Sequence, residues 1–281
     1  WTAVYTADAN DTDGAVSYSI AFSDTAGNAG SAVTSGSGSV TTDTTAPTLS
    51  NVSIASDNST STLAKDGDNV TLTFTASESI STPTVTFASG GSSINGNVTV
   101  QNTSGNTWTA VYTTDANDTD GAVSYSIAFS DTAGNAGSAV TSGSGSVTTD
   151  TSAPTLSGVS ISSNNESNTL AKAGDDVTLT FTASESISTP TVTFASGGSS
   201  INGNVTVQNT SGNTWTAVYT ADANDTDGAV SYSIAFSDTA GNAGSAVTSG
   251  SGSVTTDTTA PTLSNVSIAS DNSTSTLAKD G

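Results

Sequence analysis

The sequence has no cysteine, histidine, methionine or arginine, and its only cationic side chains are three lysines. Without cysteine there is no disulfide framework and no thiol chemistry. Without histidine or cysteine to act as base or nucleophile, and with no carboxylate pair flanked by cations, we expect no enzymatic activity. The formal net charge of −22 argues against nucleic acid and anionic membrane surfaces as partners and favours a cation. No long apolar run occurs, so we expect no direct membrane insertion of this segment.

What the sequence does contain is an internal repeat of 107 residues. Its most visible markers are Trp1, Trp108, Trp215, Pro47, Pro154 and Pro261. A period of this length is too long for a solenoid unit and fits a complete small domain. The predicted domains are a partial repeat at 1–42, complete repeats at 43–149 and 150–256, and a partial repeat at 257–281. Because the chain begins and ends within a repeat, we expect it to be part of a longer array.

Within each repeat, apolar and polar residues alternate with a period of two, which is typical of β-strands with one buried face. In the repeat 43–149 this pattern predicts strands at 48–54, 70–76, 84–88, 97–101, 107–113, about 123–129 and 139 to about 149. The last strand is predicted to be broken by Gly143 and Gly145, which suggest bulges or a weak edge. The segments 55–69 and 90–96 are predicted to be a polar loop and a long turn. The predicted aromatic core consists of Phe74, Phe87, Trp108, Tyr112, Tyr125 and Phe129. Seven short strands with no helical period predict a two-sheet Greek-key sandwich.

Four stretches carry a resemblance to a known family: DTTAPT at 43–48, GDNVTLTFTASE at 67–78, DGAVSYSI at 120–127 and SDTAGN at 130–135. With them the whole chain resembles the bacterial Ig-like repeats of giant secreted surface proteins, which include repetitive adhesins of Gram-negative bacteria of the RTX and biofilm-associated types. The resemblance implies an all-β fold of tandem seven-stranded Ig-like Greek-key sandwiches joined end to end. It also implies an extracellular location on a bacterial cell surface, where such repeats mostly build stalks.

Acidic loops suggest a metal site where consecutive repeats meet. In an Ig-type sandwich, the loop between the fifth and sixth strands lies at the exit pole, beside the connector to the next domain. The loops that follow the second and sixth strands of the next domain lie at its entry pole. At the middle junction this arrangement gathers Asp115, Asn117, Asp118, Asp120, Asp150, Glu185, Asp238 and Asn242. At the preceding junction it gathers Asp8, Asn10, Asp11, Asp13, Asp43, Glu78, Asp131 and Asn135.

Several carboxylates packed together without a cation would repel one another, and oxygen ligands without histidine or cysteine suit Ca²⁺. Members of the family that the chain resembles bind Ca²⁺ at such junctions. We therefore expect a Ca²⁺ site at each junction that stiffens the array. The alternative is a solvated acidic turn closed by Asx-type hydrogen bonds, which Asp-Gly sequences form without metal.

These features predict a structural extender, or stalk, segment of a long extracellular filament or adhesin, whose partners are the neighbouring repeats of the same chain. A second hypothesis is a subunit of a laterally self-assembling filament or sheath, with like chains as partners. A third is a carbohydrate- or protein-binding Ig-like module. The near-identity of the two complete repeats favours the first hypothesis, because it suits a part whose length matters more than any one surface.

Overall fold

The computed structural model describes residues 1–274, 276–278 and 280. The third lysine, Lys279, and the end of the predicted partial repeat 257–281 lie outside the described residues. Within this part of the chain all regular elements are strands, and no helix is long and apolar enough to cross a membrane. The chain divides into two compact units, Trp1–Ser152 with Ala240–Asn242, and Ala153–Thr239 with Ala243–Gly281.

The first unit contains a fragment of one repeat followed by one complete repeat. Its strands are β1 (Gly14–Ala15), β2 (Thr41–Thr42), β3 (Leu49–Ser56), β4 (Leu63–Ala64), β5 (Asn69–Ala76), β6 (Thr84–Ser89), β7 (Ser92–Ser93), β8 (Thr99–Ser104), β9 (Thr107–Thr113), β10 (Gly121–Ala128) and β11 (Thr148–Thr149). In the complete repeat, one sheet has the order β3-β5-β9-β8 and the other the order β4-β11-β10-β6-β7. The long strands pair antiparallel, and only β4 and β11 pair parallel. This is the strand order of an immunoglobulin-type sandwich, which confirms the predicted all-β, Ig-like fold class.

The alternation in β5 explains how the two sheets close on each other. Val70, Leu72 and Phe74 are fully buried, whereas the threonines between them are half-buried on the outer face. Phe74 lies opposite Trp108 in the neighbouring strand β9. Tyr112, from the same strand, meets Phe87 of the other sheet with 4.8 Å between ring centroids. The predicted aromatic residues therefore do form the core of this repeat.

The last predicted strand, 139 to about 149, is broken around Gly143 and Gly145, as the sequence predicts, and its regular part is shorter than predicted. Only β11 is regular there, and Val140 and Ser144 form isolated bridges to β10 and β3. Gly143 and Gly145 explain why the strand is interrupted, because both lie close to the backbone of β3. A Cβ on Gly143 would lie 2.4 Å from the carbonyl oxygen of Val52, and a Cβ on Gly145 would lie 2.3 Å from the carbonyl oxygen of Ile54. This segment thus runs directly against the backbone of β3 and covers the edge of the sheet.

Several other boundaries differ from the sequence pattern, most of them by one or two residues. The predicted loop 55–69 contains the short strand β4, whose Ala64 carbonyl accepts the amide of Asp150 at 2.8 Å. The predicted turn 90–96 contains β7, and β8 begins two residues later than the predicted strand 97–101. The strands β4 and β7 have only two residues each, which is too short for an alternation of apolar and polar residues to show, so periodicity misses them.

The second unit contains the other complete repeat, with the same arrangement. Its strands are β12 (Leu156–Ser163), β13 (Leu170–Ala171), β14 (Asp176–Ala183), β15 (Thr191–Ser196), β16 (Ser199–Ser200), β17 (Thr206–Ser211), β18 (Thr214–Thr220), β19 (Gly228–Ala235) and β20 (Thr255–Thr256). They form sheets of order β12-β14-β18-β17 and β13-β20-β19-β15-β16 around a separate core. Because each complete repeat buries its own core, we treat each as a self-sufficient folding unit.

The partial repeat 1–42 does not close a core. Its regular pairing is limited to β1 with β2, and the side chains of Trp1, Tyr18 and Phe22 are exposed, although their equivalents in the complete repeats are buried. One half of a sandwich leaves its apolar face uncovered, because the strands that would cover it are contributed by the other half.

We predict that Leu72→Ala destabilises its own repeat by roughly 2–5 kcal/mol, because it removes a fully buried side chain and leaves a cavity. Thr73→Ala, on the outer face of the same strand, is the matched control and should cost under about 1 kcal/mol. Calorimetry of the whole chain should show one transition lowered by Leu72→Ala and a second, from the repeat containing Leu179, unchanged. Equal effects of the two substitutions would contradict the assigned faces of β5.

Candidate metal centre

Three carboxylates in the first unit lie together at the start of the complete repeat. Asp43, Glu78 and Asp131 each offer one oxygen, and these oxygens all lie within 4.8 Å of one another. Asp43 belongs to the connector before β3, Glu78 to the loop after β5, and Asp131 to the loop after β10. The fold thus places one acidic residue from each of three separate segments at a single point.

Asp131 is the buried member of this carboxylate group, with a relative exposure of 1%. One of its oxygens accepts the amides of Gly134 and Asn135 at 2.7 and 2.8 Å, and the other accepts the Asn135 side-chain amide at 2.7 Å. Burial acts to raise the pKa of Asp131, but these hydrogen bonds outweigh it and hold the pKa below its ordinary value. The buried group is therefore an anion.

The same hydrogen bonds position the loops around the carboxylate group. The Asn135 side-chain amide also donates to the carbonyl oxygen of Asp43 at 3.0 Å, which ties the connector to the loop after β10. The loop after β5 is joined to it by a bridge between Ile80 and Asp131 and by the Ser81 hydroxyl, which donates to the Asp131 carbonyl oxygen at 3.3 Å. Hydrogen bonds between protein groups thus join the connector and the two loops that carry the three acidic residues.

Repulsion among the three carboxylates is visible at Glu78. Its pKa is raised, first by partial burial and then by the negative charges of Asp43, Asp131 and Asp13. Of the described lysines, Lys65 lies 3.9 Å from Asp68 and Lys172 lies 3.0 Å from Asp175, so their charges are engaged in other loops. An oxygen spacing of up to 4.8 Å is about twice a Ca²⁺–oxygen bond of roughly 2.3–2.6 Å. The donor set is all hard oxygen, and it fits Ca²⁺.

The acidic loop that lies between β9 and β10 in the complete repeat, and at residues 8–13 in the partial repeat, forms hydrogen bonds within itself and to the connector. In the partial repeat, Asp8 accepts the backbone and side-chain amides of Asn10, and Asp11 accepts the amide of Asp8, so these three residues close their own turn. Asp13 instead reaches the connector, where its carboxylate accepts the amide and hydroxyl of Thr44 and the hydroxyl of Thr45. We call this contact of an aspartate with the two residues after the connector aspartate the connector clasp.

The connector clasp recurs in every copy of the loop. Asp120 accepts the amide of Thr151 at 2.7 Å and the hydroxyl of Ser152 at 2.6 Å. Asp227 accepts the amide of Thr258 at 2.7 Å and the hydroxyl of Thr259 at 2.6 Å. These bonds hold the pKa of Asp227 below its ordinary value. A contact that appears three times, within both units, is a property of the repeat.

Asp118, in the same loop, is a structural residue with a relative exposure of 5%. One of its oxygens accepts the backbone and side-chain amides of Asn95 at 2.7 and 3.1 Å, and the other accepts the amide of Asp115 at 3.0 Å. Asp115 in turn accepts both amides of Asn117. These residues therefore close the turn and attach it to the segment before β8.

Of the ligands predicted for the preceding junction, the structure brings Asp43, Glu78 and Asp131 together. The side chain of Asn135 is bonded to Asp43 and to Asp131. The charge of Asp13 is close enough to raise the pKa of Glu78. Asp8, Asn10 and Asp11 are not part of that group. In the second unit, Glu185 and Asp238 are the repeat equivalents of Glu78 and Asp131, and Asp238 is equally buried. Asp150 and Asn242 are the equivalents of Asp43 and Asn135. Metal ligation by any of these residues stays a prediction.

Sequence reasoning missed the hydrogen-bond partners of the acidic loop. Thr44, Thr45 and Asn95 carry no charge and no distinctive motif, so a search for metal ligands passes over them. One signal was available: every connector aspartate is followed by two hydroxyl residues, Thr-Thr or Thr-Ser. Each of these hydroxyl side chains has an O–H group that can donate a hydrogen bond to a carboxylate.

We predict that Glu78→Gln stabilises the metal-free repeat at neutral pH. A raised carboxyl pKa means that the charged form is disfavoured in the folded state, so its cost is present above the folded pKa and disappears as the pH falls through it. The midpoint of thermal unfolding in chelator should rise by a few degrees near pH 7, and the difference from the unsubstituted chain should vanish in acid. Asp66→Asn, at an exposed acid outside the carboxylate group, is the control. A destabilised Glu78→Gln variant would contradict the repulsion.

We also predict that Asp120→Ala loosens the connector. The amide of Thr151 loses its acceptor, so its hydrogen exchange should accelerate by about tenfold. Asp115→Ala removes an acceptor used by Asn117 only and should leave the Thr151 amide unchanged. The measurement is residue-resolved hydrogen exchange by NMR, and equal exchange rates in the two variants would rule out the connector clasp.

No protein-family model and no curated protein sequence matches the chain. Solved structures do. The I-band fragment from titin has a TM-score of 0.43 and 14% identity over 76% of this chain, which covers 66% of that fragment, just under two thirds of its length. The titin Ig tandem domains reach a TM-score of 0.25 at 13% identity, over 76% of this chain and 97% of theirs. DIP-gamma IG1+IG2 reaches 0.32 at 15% identity, over 75% and 97%. The strand order of the two complete repeats is by itself that of tandem Ig-like domains.

Proposed function

We propose that the chain is an extender segment of a long extracellular filament or adhesin stalk, stiffened by Ca²⁺ where one repeat follows another. The observation that carries the proposal is the group of Asp43, Glu78 and Asp131, in which the connector and two loops of the following domain each contribute a carboxylate. A site built this way fixes a connector, which is what a stiff array requires.

The chemistry of the site supports a cation in general and Ca²⁺ in particular. Asp131 is buried and anionic, Glu78 is repelled by its neighbours, and no nitrogen or sulfur ligand takes part. Ca²⁺ takes 6–8 oxygen ligands in flexible geometry. Three carboxylates provide part of this number, and backbone carbonyls and water would complete it. When bound, the ion would supply the positive charge that offsets the carboxylate repulsion.

The connector clasp also supports a stiff array, because it attaches the connector to the preceding repeat. Asp43 is held by the following repeat through Asn135, and Thr44, the next residue, is held by Asp13 of the preceding repeat. Two consecutive residues of the connector are therefore bonded to two different repeats. Ca²⁺ at Asp43 would strengthen the first of these attachments, and the clasp would keep the preceding repeat in register with it.

The location and context rest on the resemblance to bacterial Ig-like adhesin repeats and on composition. A strongly acidic array of near-identical domains suits a segment whose task is reach, because the neighbouring repeats are its partners and each one adds length. The role is mechanical and needs no catalytic residue.

The decisive experiment is small-angle scattering on residues 43–257, which contain the two complete repeats, with Ca²⁺ and with chelator. We expect Ca²⁺ to increase the maximum dimension and to narrow the spread of interdomain arrangements. Isothermal titration calorimetry on the same protein should detect Ca²⁺ binding. The paired substitution Glu78→Gln with Glu185→Gln should weaken that binding by at least tenfold and abolish the change in scattering.

The control is Asp66→Asn with Glu166→Gln, which removes the same number of charges at exposed positions outside the carboxylate group. This control should keep both Ca²⁺ responses. If scattering curves with and without Ca²⁺ superimpose while calorimetry detects binding, the ion binds but does not stiffen the array. If neither changes, the acidic loops are solvated turns and the Ca²⁺ proposal is wrong.

A further inference from the structure

The strand β8 is an open edge of its sheet. It is the last strand of the order β3-β5-β9-β8, and Val100 alone among its side chains is half-buried against the core. The other edge strand, β3, is covered: the amide of Ile54 donates to Ser144 at 3.0 Å, and the amide of Ser144 donates to Val52 at 2.8 Å. An edge strand without such a cover presents backbone donors and acceptors along its outer side.

Most of the usual protections of an open edge are absent from β8. Its sequence, TVQNTS, contains no lysine, no other charge and no proline. The one irregularity is a register shift between Asn102 and Ser104, which leaves Thr99–Asn102 regularly paired with β9 on the inner side. Natural sheets protect their edges with charges, prolines or bulges, so β8 keeps only the bulge at one end.

The charges of the repeat are distributed so that this edge is neutral. In the repeat 43–149 no strand contains a charged residue, and none occurs anywhere between Glu78 and Asp115, the segment that forms β6 to β9. A chain of net charge −22 repels its own copies through the acidic loops, whereas its β8 edges carry no such repulsion. The second complete repeat has the same uncharged segment, between Glu185 and Asp222, and the same open edge, β17.

We propose that the β8 and β17 edges are docking sites for the same edges of a second copy of this chain, paired antiparallel about a two-fold axis. Such pairing is self-complementary, because each edge supplies the backbone donors and acceptors that the other lacks. The exposed Thr, Gln and Asn side chains of the two strands then lie opposite one another and bond across the pair. Each complete repeat carries one such edge, and one edge gives a small contact, so we expect weak and reversible association.

The test uses analytical ultracentrifugation of the whole chain over a range of concentrations. We expect a reversible doubling of mass that strengthens from roughly 0.01 M to 0.15 M salt, because the Debye length falls from about 30 to 8 Å and screens the acidic loops. Gln101→Lys with Gln208→Lys should weaken association at least tenfold. These lysines lower the net negative charge, so a weaker association cannot be a consequence of general repulsion.

The charge-matched control is Ser138→Lys with Ser245→Lys, at exposed positions away from these edges. It should associate at least as well as the unsubstituted chain. Equal weakening by both pairs, or a monomer at every concentration and salt, would overturn the proposal. A second measurement needs no substitution: hydrogen exchange of the amides in 99–102 should slow as concentration rises. Unchanged exchange in a sample that does associate would place the contact elsewhere, as on the exposed apolar residues of the partial repeat 1–42.

Discussion

The burial of a charged carboxylate at Asp131 is the constraint on which the junction depends. A buried anion is costly unless it is hydrogen-bonded or paired, and here three N–H groups from its own loop satisfy it. Those bonds fix the loop, and the fixed loop then holds the connector through Asn135. Asp43 and Glu78 add further negative charge at the same point, and burial together with the neighbouring charges raises the pKa of Glu78. The carboxylate group therefore both fixes the loop and connector and concentrates negative charge that a cation would offset.

The differences between the two complete repeats indicate which features the fold requires. Asp57 in one repeat accepts the backbone and side-chain amides of Asn69, whereas in the other repeat Asn164 accepts the backbone amide of Asp176. The acid and the amide have exchanged places, and the contact is kept. Asn51 is replaced by Gly158, and both adopt a positive φ, of 52° and 60°. Asparagine and glycine are the residues that tolerate this conformation.

The sequence pattern was sufficient for the fold class, the aromatic core and most strand positions, because alternation directly reports which face of a strand is buried. It located the break at Gly143 and Gly145 in the strand predicted at 139–149, but not its cause, the close approach of both glycines to the β3 backbone, which only the folded neighbour supplies. For the candidate site, topology alone brought Asp43, Glu78 and Asp131 into one group. It did not foresee that the Asp118 carboxylate accepts both amides of Asn95, because an aspartate that closes a turn and one that joins a carboxylate group look alike in a sequence.

The placement of charge in the repeat connects the junction with the open edge. In the repeat 43–149 acidic residues occupy the loops, where they can bind a cation or an amide, and the strands carry no charged side chain. Concentrating charge in this way supplies the oxygen donors that a junction needs. It also removes from β8 the charged side chains that normally prevent edge pairing. Repulsion from the acidic loops then becomes the main barrier between chains, and that barrier depends on salt and on any cation that the loops bind.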